Sequence, residues 1–353
     1  MKNIKEMGLL NALDIGPVIC AEGYLFEMER RGYLKANLFV PEVVLDNPQV
    51  VEQLHRDFVH AGSDVVLAFT YYVDREKLKV IGKEELLEAM YFDALKIARK
   101  VSNETRTLLA GNIGQSNVWK PGDKEAERKT IAMFEEQAQW SKEGGAEFII
   151  AETLSFFGEA CLALNAIKRV GLPAIVYLAV DVNGLLRDGY TPEDACQRLA
   201  DLGTDVVGLN CYRGPGTMLH VLKKVTEKVK SHVAALPVAY HTTENEPTFE
   251  VLSDGKGNTV FPTLLDPHVA TRDEMANFAM EAYKLGVRFI GGCCGTAPYH
   301  IRSMAEALGR KIPASKYSPA ELTEEQKQYF IPVATMHKKG GSSHKCMHHF
   351  RPW

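Results

Sequence analysis

Thr191-Pro192-Glu193-Asp194-Ala195-Cys196-Gln197-Arg198-Leu199-Ala200-Asp201-Leu202-Gly203-Thr204-Asp205-Val206-Val207-Gly208-Leu209-Asn210-Cys211 reads as one helix followed by one short strand. Thr191 is a capping residue, Pro192 suits a first helical turn, and Glu193 and Asp194 fall at the positive end of the helix dipole. Gly203 supplies the left-handed residue that closes a helix. The strand, 206–210, is short and almost wholly apolar, as a strand covered on both faces must be. It ends at Cys211.

The same order recurs in both directions along the chain. Candidate strands are residues 17–20, 65–69, 108–112, 148–151, 174–180, 206–210, 238–241 and 288–291. Between them lie helical patterns, among them 48–61, 83–107, 125–144, 191–202, 217–231 and 271–285. Thr271 followed three residues later by Glu274 forms a capping box. Gly62, Gly203 and Gly286 each close a helix just before a strand. Eight strands alternating with helices predict an α/β fold, a (β/α)8 TIM barrel with a C-terminal extension. An open doubly wound sheet is the alternative. Against it, the first strand leads into Ala21-Glu22-Gly23-Tyr24, not into a glycine-rich phosphate turn. The expected division is a barrel over 1–312 and a polar, proline-broken extension or oligomerisation arm over 313–353.

The 353 residues suffice for one large core, with 46% hydrophobic and 24% charged residues. A net charge of -4 gives no basic surface for nucleic acid, so no nucleic-acid partner is expected. No apolar run approaches the roughly 18 residues of a membrane span, and residues 1–7 lack a secretory pattern. The expected compartment is the cytoplasm. Seven irregularly spaced cysteines argue for reduced thiols instead of a disulfide framework. Cys20, Cys161 and Cys196 read as inert packing.

Carboxyl ends of barrel strands face the catalytic mouth. Strand six finishes Gly208-Leu209-Asn210-Cys211, and strand eight finishes Gly291-Gly292-Cys293-Cys294-Gly295. Adjacent cysteines in a regular strand point to opposite faces, so sharing one ion requires the backbone to leave strand geometry, which the flanking glycines permit. Cys211, Cys293 and Cys294 then offer three thiolates and one open position for Zn2+. The plainer alternative makes the Cys293-Cys294 pair small core residues in a tight turn. A zinc held by three anionic sulfurs is a weak Lewis acid, which favours activating a thiol over hydrolysis. A zinc hydrolase and a non-catalytic zinc-binding barrel are the competing classes.

These motifs resemble the homocysteine S-methyltransferase family, and within it the betaine–homocysteine branch. Further likeness lies in Pro298-Tyr299-His300-Ile301, Ala239-Tyr240-His241-Thr242, Val269-Ala270-Thr271-Arg272, Glu29-Arg30-Arg31-Gly32-Tyr33 and Gln53-Leu54-His55-Arg56-Asp57-Phe58. The resemblance covers roughly residues 10–310. It implies a zinc-dependent barrel in which the metal binds homocysteine sulfur for attack on a methyl group, giving methionine. It also implies small-molecule partners, namely homocysteine and a methyl donor, and a homo-oligomer.

The family places an Asp-Gly pair after strand one; here the place reads Ala21-Glu22-Gly23, with Glu22 one position along. Glu152 matches the family's second substrate acid, and Glu22, Gly23 and Glu152 are the expected homocysteine contacts. Phe39 and Tyr72 match aromatic residues of the betaine branch, whose further Tyr is replaced by Thr153. Betaine or a similar onium is the expected donor, with S-methylmethionine and dimethylsulfoniopropionate as alternatives. No acid–base residue is expected beyond metal activation of the thiol. His241 and His300 read as structural. In the tail, His337, His344, Cys346, His348 and His349 have the donors for a second metal site, although neighbouring glycines and serines suit a mobile segment.

Overall fold

A computed structural model describes residues 3–36 and 38–318. The strands are β1 (Val18–Ala21), β2 (Val65–Leu67), β3 (Leu108–Ile113), β4 (Phe148–Leu154), β5 (Ala174–Leu178), β6 (Val206–Asn210), β7 (His232–Leu236) and β8 (Phe289–Gly292). They close in chain order into a parallel barrel, with β1 pairing β8 from Val18↔Phe289 to Ala21↔Gly292. The expected (β/α)8 TIM barrel is therefore the observed fold. Except for His232, every strand residue is buried, which explains the continuous apolar runs.

Helices including Pro48–His60, Lys124–Glu143, Pro192–Asp201, Pro215–Lys228 and Arg272–Lys284 connect the strands. Thr191 Oγ1 accepts from Asp194 N at 3.3 Å, and the Thr271–Glu274 capping box forms in both directions. Below the barrel, acids at strand starts satisfy the neighbouring strand. Asp64 accepts from Ile19 N, Glu147 from Leu109 N and Asp205 from Ala174 N, at 2.7–2.8 Å. Those acids hold the bottom face and leave the top face for chemistry.

Two elements differ from expectation. Strand seven is His232–Leu236, not 238–241. The helix before it stops at Lys228, and Pro237, lacking an N–H, ends the ladder. Val238, Ala239 and Tyr240 are fully buried, so they carry a strand's apolar signature. Their backbone instead serves the top loops, with Val238 N donating to Arg213 O and Ala239 N to Cys294 O. The long helix expected over 83–107 begins as a 3-10 turn, Glu84–Leu86, before Leu87–Thr105.

The compact barrel unit is Met1–Ser315, followed by a second unit, Lys316–Trp353. Most of the extension expected over 313–353, including His337, His344, Cys346, His348 and His349, lies outside the described residues. Among the described residues, no helix is long and apolar enough to cross a membrane.

Candidate metal centre and substrate pocket

Cys211 follows β6, and its N–H still donates to Leu236 O of β7 at 2.9 Å. At that point the backbone turns left-handed, with φ 56° at Cys211 and 55° at Tyr212. Such backbone costs energy in residues other than glycine and tends to persist at functional sites. Cys293 and Cys294 lie just beyond β8, in a turn closed by Thr296 N donating to Cys293 O at 3.0 Å. Only Gly295, φ 77°, uses glycine's left-handed freedom there. Gly291 and Gly292 serve close approach instead. A Cβ on Gly291 would stand 1.7 Å from Cys20 O, and one on Gly292 2.3 Å from Thr296 Oγ1. Leaving the strand before Cys293 is what lets both sulfurs face one point.

Cys211 Sγ lies 3.5 Å from Cys294 Sγ, and Cys293 Sγ lies 3.9 Å from Cys294 Sγ. All three sulfurs fall within 4.8 Å of one another. Tetrahedral zinc with Zn–S bonds of about 2.3 Å requires sulfur–sulfur separations of about 3.8 Å, so the spacing fits. Hydrogen bonding to Cys293 and Cys294 holds Cys211 well below the usual thiol range, while sharing protons with Cys211 keeps the other two high. Among the described residues no histidine joins the three sulfurs.

Beside the sulfurs stands an acid pair. Glu22 follows β1, while Glu152 lies within β4, where pairing with β5 slips between Ala151 and Leu154 and Thr153 turns to φ 60°. Asn210 joins them: its Nδ2 lies 3.3 Å from Glu22 Oε2, 3.2 Å from Glu152 Oε2 and 3.8 Å from Cys293 Sγ. Asn112 Nδ2 donates to Glu152 Oε1. Neither carboxylate meets a Lys or Arg among the described residues, and Glu22 Oε1 has no hydrogen-bond partner. Burial raises both groups, Glu152 to about 7. Two carboxylates this close resist joint ionisation unless a cation arrives.

Sulfurs and acids open into one cavity with about 770 Å3 of empty space, its mouth included, at the carboxyl ends of the strands. Glu22, Gly23, Phe39, Tyr72, Glu152, Cys211, Cys293 and Cys294 all border it, so the chain brings together every site residue expected from the sequence. Gly23 is there because a Cβ would meet Thr296 O at 2.1 Å. Phe39 packs on Phe26 at 5.3 Å between ring centres, and Tyr72 lies 4.4 Å from Tyr71. Both Phe39 and Tyr72 have left-handed backbone, φ 52° and 65°. One face of the Tyr72 ring already carries Lys77 Nζ at 4.0 Å, and burial pushes its hydroxyl up to about 12.

Sequence reasoning missed part of the wall. Phe249, Glu250 and Phe261 come from the segment between β7 and the helix at Arg272, and Phe26 from the helix Tyr24–Arg30. The length of the stretch left unassigned between the expected strand seven and the helix at 271, residues 242–270, was the available signal, since long connections are often functional. His300 is structural as expected: buried, it accepts from Ala297 N at Nδ1 and bonds Ala270 O at 2.8 Å through Nε2. His241 lies beyond β7 and pairs with Glu274 at 3.0 Å.

A barrel with a three-thiol centre at its mouth and an acid pair beside it defines a class of metal-centred enzyme, and comparison narrows it. The homocysteine S-methyltransferase family model matches residues 22–308, and the chain belongs to that family. It is 38% identical to betaine–homocysteine S-methyltransferase 1 of Xenopus tropicalis, across 86% of this chain and 76% of the relative. It is 33% identical to S-methylmethionine–homocysteine S-methyltransferase of Mus musculus, across 99% of this chain and 89% of the relative. In fold it resembles the metallated homocysteine methyltransferase of Escherichia coli, with TM-score 0.66, 19% identity, and coverage of 83% of this chain and 97% of that one.

Proposed function

We propose that this protein transfers a methyl group from betaine or a similar onium donor to the thiol of homocysteine, giving methionine, with zinc held by Cys211, Cys293 and Cys294. The observation that carries the reading is the sulfur triad, spaced for a tetrahedral ion and bordering the same cavity as an unneutralised acid pair and an aromatic wall. When bound there, zinc supplies a lowered pKa for an incoming thiol, making it nucleophilic near neutral pH.

The remaining work falls to the chain. Glu22 and Glu152 receive the substrate ammonium, whose charge offsets the cost of two buried carboxylates. The change from the family's Asp-Gly to Ala21-Glu22 keeps a carboxylate beside Glu152. Gly23 lets the start of its helix approach Thr296. Asn210 bridges the acids and Cys293, so the ammonium and the thiol are located by one connected set of hydrogen bonds. Phe39 and Tyr72 offer ring faces to a methylated cation. Fixing both reactants in a pocket supplies much of the rate in such a transfer. We assign 1–312 to this barrel and 313–353 to an arm joining copies of the chain. We place the reaction in the cytoplasm, where free thiols persist.

The test supplies zinc-loaded protein with homocysteine and, separately, betaine, S-methylmethionine and dimethylsulfoniopropionate, and measures methionine. Formation from at least one donor is expected. None from any of them contradicts the proposal.

A further inference from the structure

One charged residue on the aromatic wall has no part in the chemistry above. Glu250 sits in the 3-10 turn Phe249–Val251 and borders the cavity with Cys211, Phe39 and Tyr72. Among the described residues, its half-buried carboxylate accepts no hydrogen bond and forms no ion pair. Burial raises it to about 7, and Arg187, whose charge draws it back down, is engaged elsewhere: Nε lies 3.4 Å from Asp181 Oδ2, and Nη2 donates to the Tyr212 hydroxyl at 3.5 Å. The described residues that border the cavity include three glutamates, Glu22, Glu152 and Glu250, and no Lys or Arg.

Aromatic faces hold an onium centre whatever else the molecule carries, so the rings do not discriminate among donors. The rest of the donor does. Betaine and dimethylsulfoniopropionate each carry a carboxylate and no net charge. S-methylmethionine carries an ammonium as well, and is a net cation. All three donors carry a carboxylate, and only S-methylmethionine adds an ammonium, which a carboxylate on the wall rewards, the more so in a pocket of low dielectric. Among the described residues the cations that touch the wall are already placed, Lys77 over the Tyr72 ring and Arg187 on the Tyr212 hydroxyl. We propose that Glu250 selects the methyl donor by charge, favouring a net-cationic amino-acid onium over a zwitterionic betaine. This rests on the reading of the pocket as an onium site. The positions fit a division of labour: Glu22 follows β1 and Glu152 lies within β4, whereas Glu250 follows β7, next in sequence to Phe249, whose ring meets Phe261 at 5.1 Å.

The experiment uses the zinc-loaded full chain with saturating homocysteine and compares kcat/KM for S-methylmethionine and betaine in the wild type, Glu250→Gln and Glu250→Lys. The wild type should prefer S-methylmethionine. Glu250→Gln should lower the S-methylmethionine-to-betaine ratio at least about tenfold, as loss of a charge-assisted contact does. Glu250→Lys should lower it further. Because the ratio compares two donors on one protein, partial loss of folded enzyme cancels. A wild type that prefers betaine overturns the inference, as does a ratio unmoved in both variants. Loss of turnover with both donors in Glu250→Gln overturns it too, by giving Glu250 a role beyond selection. No methionine from any donor in the wild type is a different result, which removes the onium reading itself.

Discussion

A carboxylate buried without a cation is costly to fold around, and Glu22 and Glu152 are two such groups held side by side by Asn210. A fold bears that cost where a ligand relieves it. Replacing one acid by its amide should therefore spare the empty protein and harm the loaded one. Glu152→Gln is expected to raise the melting temperature or leave it unchanged, retain the metal, and raise KM for homocysteine about 10- to 100-fold. Calorimetry, metal analysis and initial rates check the three parts. An unchanged KM would take Glu152 out of substrate binding. Residues of this kind were legible in the sequence, because an acid ending an apolar run, or a Cys-Cys pair after a strand, is chemically out of place. Glu250 was not. It lies among polar and turn-forming residues, where a glutamate is ordinary, and only the path of the loop brings it to the cavity.

At the scale of elements, strand eight shows how little space the barrel leaves beneath the site. Gly291 faces Cys20 O across the β1–β8 ladder, with no room for a methyl group. Gly291→Ala is expected to destabilise the protein by about 1–3 kcal/mol, as overpacking does. It should also weaken metal retention, because Cys293 and Cys294 hang from the displaced strand end. Denaturant unfolding and a zinc-release assay measure the two effects. Stability equal to wild type would contradict the packing account. Most strands and helix caps could be read directly, since burial on both faces leaves a continuous apolar run and caps use few residue types. Strand seven could not. Its first residue, His232, is polar and half-exposed, while the buried run after Pro237 mimics a strand although it pairs with site loops.

For the whole molecule, barrel closure makes the three-sulfur cluster possible. Cys211 and the Cys293-Cys294 pair are some 80 positions apart, and only the parallel order β6-β7-β8 sets their strand ends at one rim. That convergence could be inferred because a barrel sends every strand end to the same face. The aromatic wall could not, because loops set its shape and have no periodicity to read.

X-ray absorption on the zinc-loaded full chain, with and without homocysteine, examines the centre most directly, with Cys294→Ala as control. One zinc per chain is expected, with three sulfur neighbours at about 2.3 Å that become four when homocysteine is added. The Cys294→Ala variant should fold and lose its zinc. A sulfur count that does not change with homocysteine, or full zinc retention in Cys294→Ala, would contradict the account.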